Sequence, residues 1–126
     1  MARILLTLMF CFINLIYANK TSYIEQHPTE NTKILIVTSN QKFYGSTQKK
    51  TANHFAEIVL AYDVFINSGF EVDIVSPKGG KIPIGYINEK DDIQKKYLND
   101  NAFMQLLNQT KAPEEVNPGN YSAIYF

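Results

Sequence analysis

Glu57 is the side chain in this sequence best suited to chemistry. It lies early in the mainly apolar stretch from His54 to Asn67. A carboxyl group beside Leu60 and Ala61, on a helix that covers a sheet, is expected to be at least partly buried, and burial disfavours its charged form. Such a group can share a proton with a neighbouring nucleophile or donate one to it. The dipole of the helix N-terminus opposes this effect, and a position on the exposed edge of the helix is the alternative.

The other reactive side chains lack the neighbours that catalysis or ligand binding would need. Ser39 is not surrounded by a Gly-x-Ser-x-Gly nucleophile elbow. Gly79–Gly80 lacks the flanking Lys-Ser/Thr pair and the helix of a phosphate-binding loop. His27 and His54 stand alone, so metal-ligand spacing is missing, and His54 is expected to be a surface or core residue. The sequence therefore predicts no metal site and no cofactor.

The charge and the cysteine content exclude two further classes of protein. Twelve basic and twelve acidic residues are interspersed and give a net charge of zero, so we expect no nucleic-acid partner. Cys11 is the one cysteine, which excludes a disulfide scaffold and a cysteine-based metal site.

Residues 1–18 have the layout of a secretory signal peptide. Arg3 gives a positive start, residues 4–16 are almost wholly apolar, and Ala18 is a small residue at a cleavage position. The apolar core is too short to span a bilayer comfortably, although an uncleaved membrane anchor is the alternative. We expect cleavage to remove Cys11, residues 19–32 to form a flexible arm, and the mature protein to be exported (periplasmic or secreted) without stable membrane association.

The elements that must position Glu57 follow from hydrophobic periodicity. Continuous apolar runs predict buried strands, a 3.6-residue period predicts a helix that Gly69 ends, and Asn99 or Asp100 can cap a second helix. The predicted order is a strand at 33–38, a helix at 53–67, a strand at 70–75, a helix reaching Asn108 and a buried strand at 121–126. This alternation predicts an α/β fold with a mostly parallel sheet, whose ligands bind at the carboxyl ends of the strands. Thr38–Asn40 and Ser76–Pro77 occupy those ends.

Several segments together resemble the ThiJ/PfpI superfamily, labelled class I glutamine amidotransferase-like. The likeness is greatest to the branch related to glyoxalase III and to heat-shock chaperone members. It covers about residues 33–126, and "SPKGG" after a strand, at this distance from a glutamate, is its most specific part. The matching segments are KILIVTS at 33–39, GSTQKKT at 45–51, Glu57 followed by Tyr62, and GFEVDIVSPKGG at 69–80.

The resemblance implies a flavodoxin-like parallel sheet sandwiched by helices, of which residues 33–126 would form the N-terminal half. It also implies a nucleophilic cysteine on a strand-to-helix elbow beyond Phe126, with a histidine beside it. Glu57 matches the glutamate that reaches this cysteine and would be its acid/base partner. Ala52, Ala61 and the pair Gly85-Tyr86 depart from the usual pattern, which leaves the shape of the pocket and the substrate open.

Three functions remain open at this stage. The complete protein would act on small reactive carbonyls as a glyoxalase III, deglycase or hydrolase-like enzyme, and the present chain, without its cysteine, would be inactive. A non-enzymatic chaperone or interaction module of the same fold is the second alternative, and a truncated, non-functional fragment is the third. A homodimer is a further expectation.

Overall fold

A computed structural model describes residues 32–126. The predicted signal peptide at 1–18 lies outside the described residues, as does the predicted arm at 19–32 apart from Thr32. Within residues 32–126, no helix is long and apolar enough to cross a membrane.

The described chain alternates strands and helices in the order that the sequence predicts, with two short strands and one helix in addition. The strands are β1 (Lys33–Val37), β2 (Asn53–His54), β3 (Glu71–Val75), β4 (Ile84–Gly85) and β5 (Ala123–Tyr125). The helices are α1 (Phe55–Asn67), α2 (Asp92–Leu98) and α3 (Asn101–Asn108), and 3-10 turns lie at Pro113–Glu115 and Pro118–Asn120.

The main sheet has three parallel strands in the order β3-β1-β5. Leu35 at the centre of β1 pairs with Asp73 of β3 on one side and with Ile124 of β5 on the other. Ile34, Leu35 and Ile36 are all buried, as expected for a continuous apolar strand covered on both faces. The predicted α/β class with a parallel sheet is therefore confirmed.

The core-facing side of helix α1 and its C-terminal end follow from local sequence. Its apolar residues recur at helical spacing, and this places Phe55, Ile58 and Val59 in the core. Gly69 follows the helix with φ of 86°, a left-handed conformation that glycine adopts without strain. The amide of Phe70 donates to the carbonyl of Phe65, which closes a Schellman motif. The predicted glycine cap is thus confirmed.

The helices pack on one face of the sheet around a cluster of aromatic rings. The Phe103 ring of α3 lies 4.7 Å from the Tyr62 ring of α1 and 4.8 Å from the Tyr97 ring of α2, measured between centroids. Ile36 and Ile74 supply the strand side of the same core. Edge and tilted contacts between aromatic rings contribute about 0.5–1.5 kcal/mol per pair beyond their buried area, so this cluster joins all three helices to the sheet.

Helix α2 has no counterpart in the sequence prediction. Asp91 caps it by accepting a hydrogen bond from the Gln94 amide at 2.9 Å. Its buried Tyr97 donates a hydrogen bond to Asp63 of α1 at 2.7 Å. Asp100, one of the two predicted caps of the following helix, does accept from the amides of α3.

Among the described residues the helices pack on one face of the sheet; on the other face Leu35, Val37 and Val75 line a cleft together with the segment that carries the two 3-10 turns. One expectation about the sheet is wrong. The last strand, expected to be buried, is exposed: the exposed fraction is 57% for Ile124 and 92% for Phe126. The reason is topological, since β5 is an edge strand that pairs with β1 alone in this part of the chain.

Candidate functional site

Asn53 organises the edge of the sheet at the carboxyl end of β1. Its side-chain oxygen accepts a hydrogen bond from the Ser39 amide at 2.8 Å. Its side-chain nitrogen donates to the carbonyls of Ser39 at 2.8 Å and Pro83 at 2.7 Å. One side chain therefore holds together the loop after β1, the start of α1 and the segment before β4.

Asn40 makes a similar link to the turn after β3. Its side-chain nitrogen donates to the Gly79 carbonyl at 3.1 Å, and its oxygen accepts from the Lys78 amide at 2.8 Å. Gly79 has φ of 62°, and a side chain there would meet the backbone of Ala112 at 3.1 Å and of Thr110 at 3.2 Å. The "SPKGG" turn thus needs glycine both for its backbone conformation and for a close approach.

Glu57 lies in the first turn of α1 and is exposed, so the expectation of partial burial is wrong and the exposed alternative is correct. Its side chain opens into a cleft of about 290 Å³ between the carboxyl ends of β1 and β5. Thr38, Asn53 and Tyr125 line the same cleft. The Glu57 carboxylate makes no hydrogen bond or ion pair with residues 32–126. The catalytic role of Glu57 stays a prediction.

His54 lines the Glu57 cleft and stacks on Tyr86. Their rings are stacked with 5.1 Å between centroids and 5° between planes. Tyr86 has φ of 56°, a conformation that a residue other than glycine adopts at a cost of roughly 1–2 kcal/mol. Both side chains are exposed, and His54 has no metal-binding neighbours, because residues 32–126 hold no cluster of three His, Cys, Asp or Glu side chains.

A second cleft, of about 520 Å³, is lined in part by Tyr86. It is formed where the loop after β1 meets the segment 83–86, and Ala52 borders both clefts. Hydrogen bonds with Thr51 and Tyr86 lower the pKa of the Tyr44 phenol beside it, and Lys49 adds to the effect. We name this second cleft the lysine cleft. Its lining residues are Lys42, Phe43, Lys50, Thr51, Ala52, Pro83, Ile84, Gly85 and Tyr86.

The sequence prediction missed the roles of Asn40, Asn53 and Tyr86. From the sequence, Asn53 is expected to be the first residue of a helix and Asn40 to be part of a polar loop. Their roles depend on hydrogen-bond partners that lie 14 to 39 residues away in the chain, and a local pattern does not reveal these. The pair Gly85-Tyr86 departs from the superfamily pattern, and this departure is the one sequence signal for Tyr86. Ser39 lies at the site, but its hydroxyl stabilises the loop after β1, because it accepts a hydrogen bond from the Gln41 amide.

Sequence comparison finds relatives among the glyoxalases. Over 103 residues the chain is 29% identical to two proteins of Saccharomyces cerevisiae, each described as a "Probable glutathione-independent glyoxalase" and named SNO4 and HSP32. Each match covers 77% of this chain and 43% of the relative. No model of a known protein family matches the chain.

Structural comparison agrees with the sequence comparison. The Rapid Encystment Protein of 24 kDa (REP24) from Francisella tularensis superposes with a TM-score of 0.66 and 29% sequence identity. The match covers 73% of this chain and 42% of REP24. The resemblance to the ThiJ/PfpI superfamily is therefore confirmed, and with it the partial flavodoxin-like fold. The chain spans less than half the length of these relatives.

Proposed function

We propose that this chain provides Glu57 to the active site of a glyoxalase III-type enzyme that acts on small reactive carbonyls without glutathione. The observation that carries the proposal is the position of Glu57. It lies at the carboxyl edge of a parallel sheet, in a cleft, with a carboxylate that no described residue engages. This edge is where parallel α/β sheets bind their ligands. The names of the yeast relatives support the choice of reaction.

In this proposal Glu57 acts as the acid/base group beside a cysteine thiolate. The thiolate sulfur adds to the carbonyl carbon, the carbonyl electron pair moves to oxygen, and the protonated carboxyl of Glu57 delivers a proton to that oxygen. The Glu57 carboxylate then removes the hydrogen of the thiohemiacetal carbon to give an enediolate and returns the proton to the adjacent carbon, while the hydroxyl proton shifts to the neighbouring oxygen. Water hydrolyses the resulting 2-hydroxy thioester to the 2-hydroxy acid and frees the thiol. Proton transfers of this kind contribute about 10²–10⁴-fold to rate. The sequence has one cysteine, Cys11, and it lies outside the described residues, so the nucleophile would come from further polypeptide.

A chimera with the yeast relative tests this proposal. Residues 33–126 would replace the aligned segment of SNO4, and conversion of methylglyoxal to lactate would be measured without glutathione. We expect the chimera to be active and its Glu57→Ala variant to lose about 10²-fold in kcat/KM. Glu89→Ala, which removes an exposed carboxylate away from both clefts, should leave kcat/KM unchanged.

Two outcomes would count against the proposal. Equal rates for the chimera and its Glu57→Ala variant would place Glu57 outside the chemistry. A chimera that folds by circular dichroism but converts no methylglyoxal would show that this segment cannot serve the reaction. The 126-residue chain alone should show no turnover.

A non-enzymatic interaction module is the second candidate, and the exposure of β5 favours it. Ile124 and Phe126 place apolar side chains in solvent at the sheet edge, and such surfaces commonly mark binding sites for other polypeptides. Suppression of the aggregation of an unfolded client protein by the chain, and loss of that effect in Ile124→Lys, would support this role.

A further inference from the structure

The lysine cleft combines apolar walls with cationic rims. Phe43, Ile84 and the ring of Tyr86 form apolar walls around a volume of about 520 Å³. Lys42 and Lys50 lie at its border, and the backbone bridge between Phe43 and Lys50 holds the two sides of the loop together. This volume is in the range of small-molecule sites, which are mostly apolar with a few polar groups that fix orientation.

The charge around the lysine cleft is segregated in a way that the zero net charge of the chain conceals. The residues that line the lysine cleft include two lysines and no aspartate or glutamate, and the acidic Glu57 at the same edge of the sheet lines the neighbouring cleft. Neither Lys42 nor Lys50 forms an ion pair with a described residue, whereas Lys33, Lys96 and Lys111 all do. Two unpaired ammonium groups beside a concave apolar surface attract an anion.

The backbone of Tyr86 supplies an independent observation. Its positive φ turns the ring onto His54 and so fixes one wall of the lysine cleft. Non-glycine residues held in this conformation cluster at ligand-binding and active sites, where the surrounding structure maintains the strain. Gly85 precedes it, and a side chain at that position would meet the Cβ of Ala52 at 3.0 Å. The segment is therefore shaped to place a flat ring at this wall.

We propose that the lysine cleft binds a small organic anion with a flat apolar body, whose negative group lies between Lys42 and Lys50 and whose body packs against Phe43 and Tyr86. This site is separate from the Glu57 cleft, and the proposal does not depend on the catalytic role of Glu57. The same contacts would recognise a phosphate or a carboxylate group attached to an aromatic or conjugated ring system.

Calorimetric titration of the full chain at low ionic strength tests the proposal with three probes: phenyl phosphate, inorganic phosphate and benzyl alcohol. Phenyl phosphate should bind at least tenfold more tightly than either of the others, because it alone offers both the charge and the flat body. Its affinity should fall as salt is added, since the attraction is screened. Equal binding of benzyl alcohol, or of inorganic phosphate, would overturn the proposal.

Variants locate the binding. The double variant Lys42→Ala/Lys50→Ala should lose at least tenfold in affinity for phenyl phosphate, whereas Lys90→Ala/Lys95→Ala, a matched removal of two exposed lysines elsewhere, should retain it. Tyr86→Gly keeps the positive φ without strain, so its fold is preserved, and it should also lose affinity for phenyl phosphate. Unchanged affinity in the Lys42/Lys50 variant, or equal losses in both double variants, would show that the cleft is not the site.

Discussion

The rings of His54 and Tyr86 lie parallel, 5.1 Å apart, although 32 positions separate the two residues in the sequence. The contact forms because β2 pairs with β4, which brings His54 opposite Gly85, the neighbour of Tyr86. The strained backbone of Tyr86 is thus compensated by a tertiary contact, and the stack joins a residue of the Glu57 cleft, His54, to a residue of the lysine cleft, Tyr86.

Substitutions of Tyr86 should distinguish the energetic cost of its strained backbone from the stabilisation that its ring gains by stacking on His54. Tyr86→Gly removes the strain and the ring together, and its free energy of unfolding should stay within about 1 kcal/mol of the parent chain, since the two effects oppose each other. Tyr86→Val loses the ring and keeps the strain, so it should be less stable than the glycine variant by at least about 1 kcal/mol. Urea unfolding followed by circular dichroism measures both, and equal stability of the two variants would contradict a strained Tyr86.

Asp73 should make the free energy of unfolding depend on pH in the acidic range. It lies on the sheet face opposite the helices and accepts hydrogen bonds from Lys111 at 2.6 Å and from Tyr121 at 2.7 Å. Burial raises the pKa of its carboxyl, but these hydrogen bonds and the charges of Lys111 and Lys33 outweigh burial and hold the pKa below the ordinary value of an aspartate. A carboxyl whose pKa is lowered on folding contributes stability above its unfolded pKa and loses it as the pH falls through the folded value.

Asp73→Asn is therefore expected to lower the free energy of unfolding at pH 7 by about 1–3 kcal/mol, the usual cost of breaking a partly buried charged hydrogen-bond network. The loss of stability between pH 5 and pH 2 should be smaller in the variant than in the parent chain. Urea titrations across this pH range provide the measurement, with Asp92→Asn, on the exposed side of α2, as control. If the free energy of unfolding changed with pH in the same way for the parent chain and for Asp73→Asn, the Asp73 carboxyl would not be the source of the acid dependence.

The exposed β5 strand should promote self-association. Within residues 32–126 no strand pairs with its outer edge, which carries the exposed side chains of Ile124 and Phe126, and such edges pair with further strands. We expect the chain to be poorly soluble or to form dimers and larger species as its concentration rises, and Ile124→Lys to reduce this. Sedimentation velocity over a concentration series measures it. A monomer at all concentrations, for parent and variant alike, would rule out association through β5.

Export remains a prediction from residues 1–18 alone. We propose cleavage after Ala18, because a basic residue, an apolar core and a small residue occur in the order that signal peptidases recognise. N-terminal sequencing of the exported protein should begin at Asn19. A substitution that places a charge in the apolar core, Leu6→Arg, should abolish export. A membrane-bound product that still begins at Met1 would instead favour the uncleaved anchor.

The sequence by itself determined the elements whose signals are local. The apolar run from Lys33 predicts β1, the helical period and Gly69 predict α1 and its end, and Asp100 predicts the start of α3. Each of these depends on residues that are close together in the chain, such as a cap and the amides that it accepts from. The superfamily resemblance was also available from the sequence, since its motifs are short and contiguous.

Only the tertiary structure decided what depends on distant residues. Helix α2 is short and mainly polar, and its buried Tyr97 is explained by contacts with α1, some 34 positions earlier. The exposure of Glu57 depends on the cleft between β1 and β5, and the strain of Tyr86 depends on the pairing of β2 with β4. Periodicity reports which face of an element is apolar, but it does not report which other element will cover that face. The strand order of the sheet settles this second question, and it therefore decided the shape of both clefts.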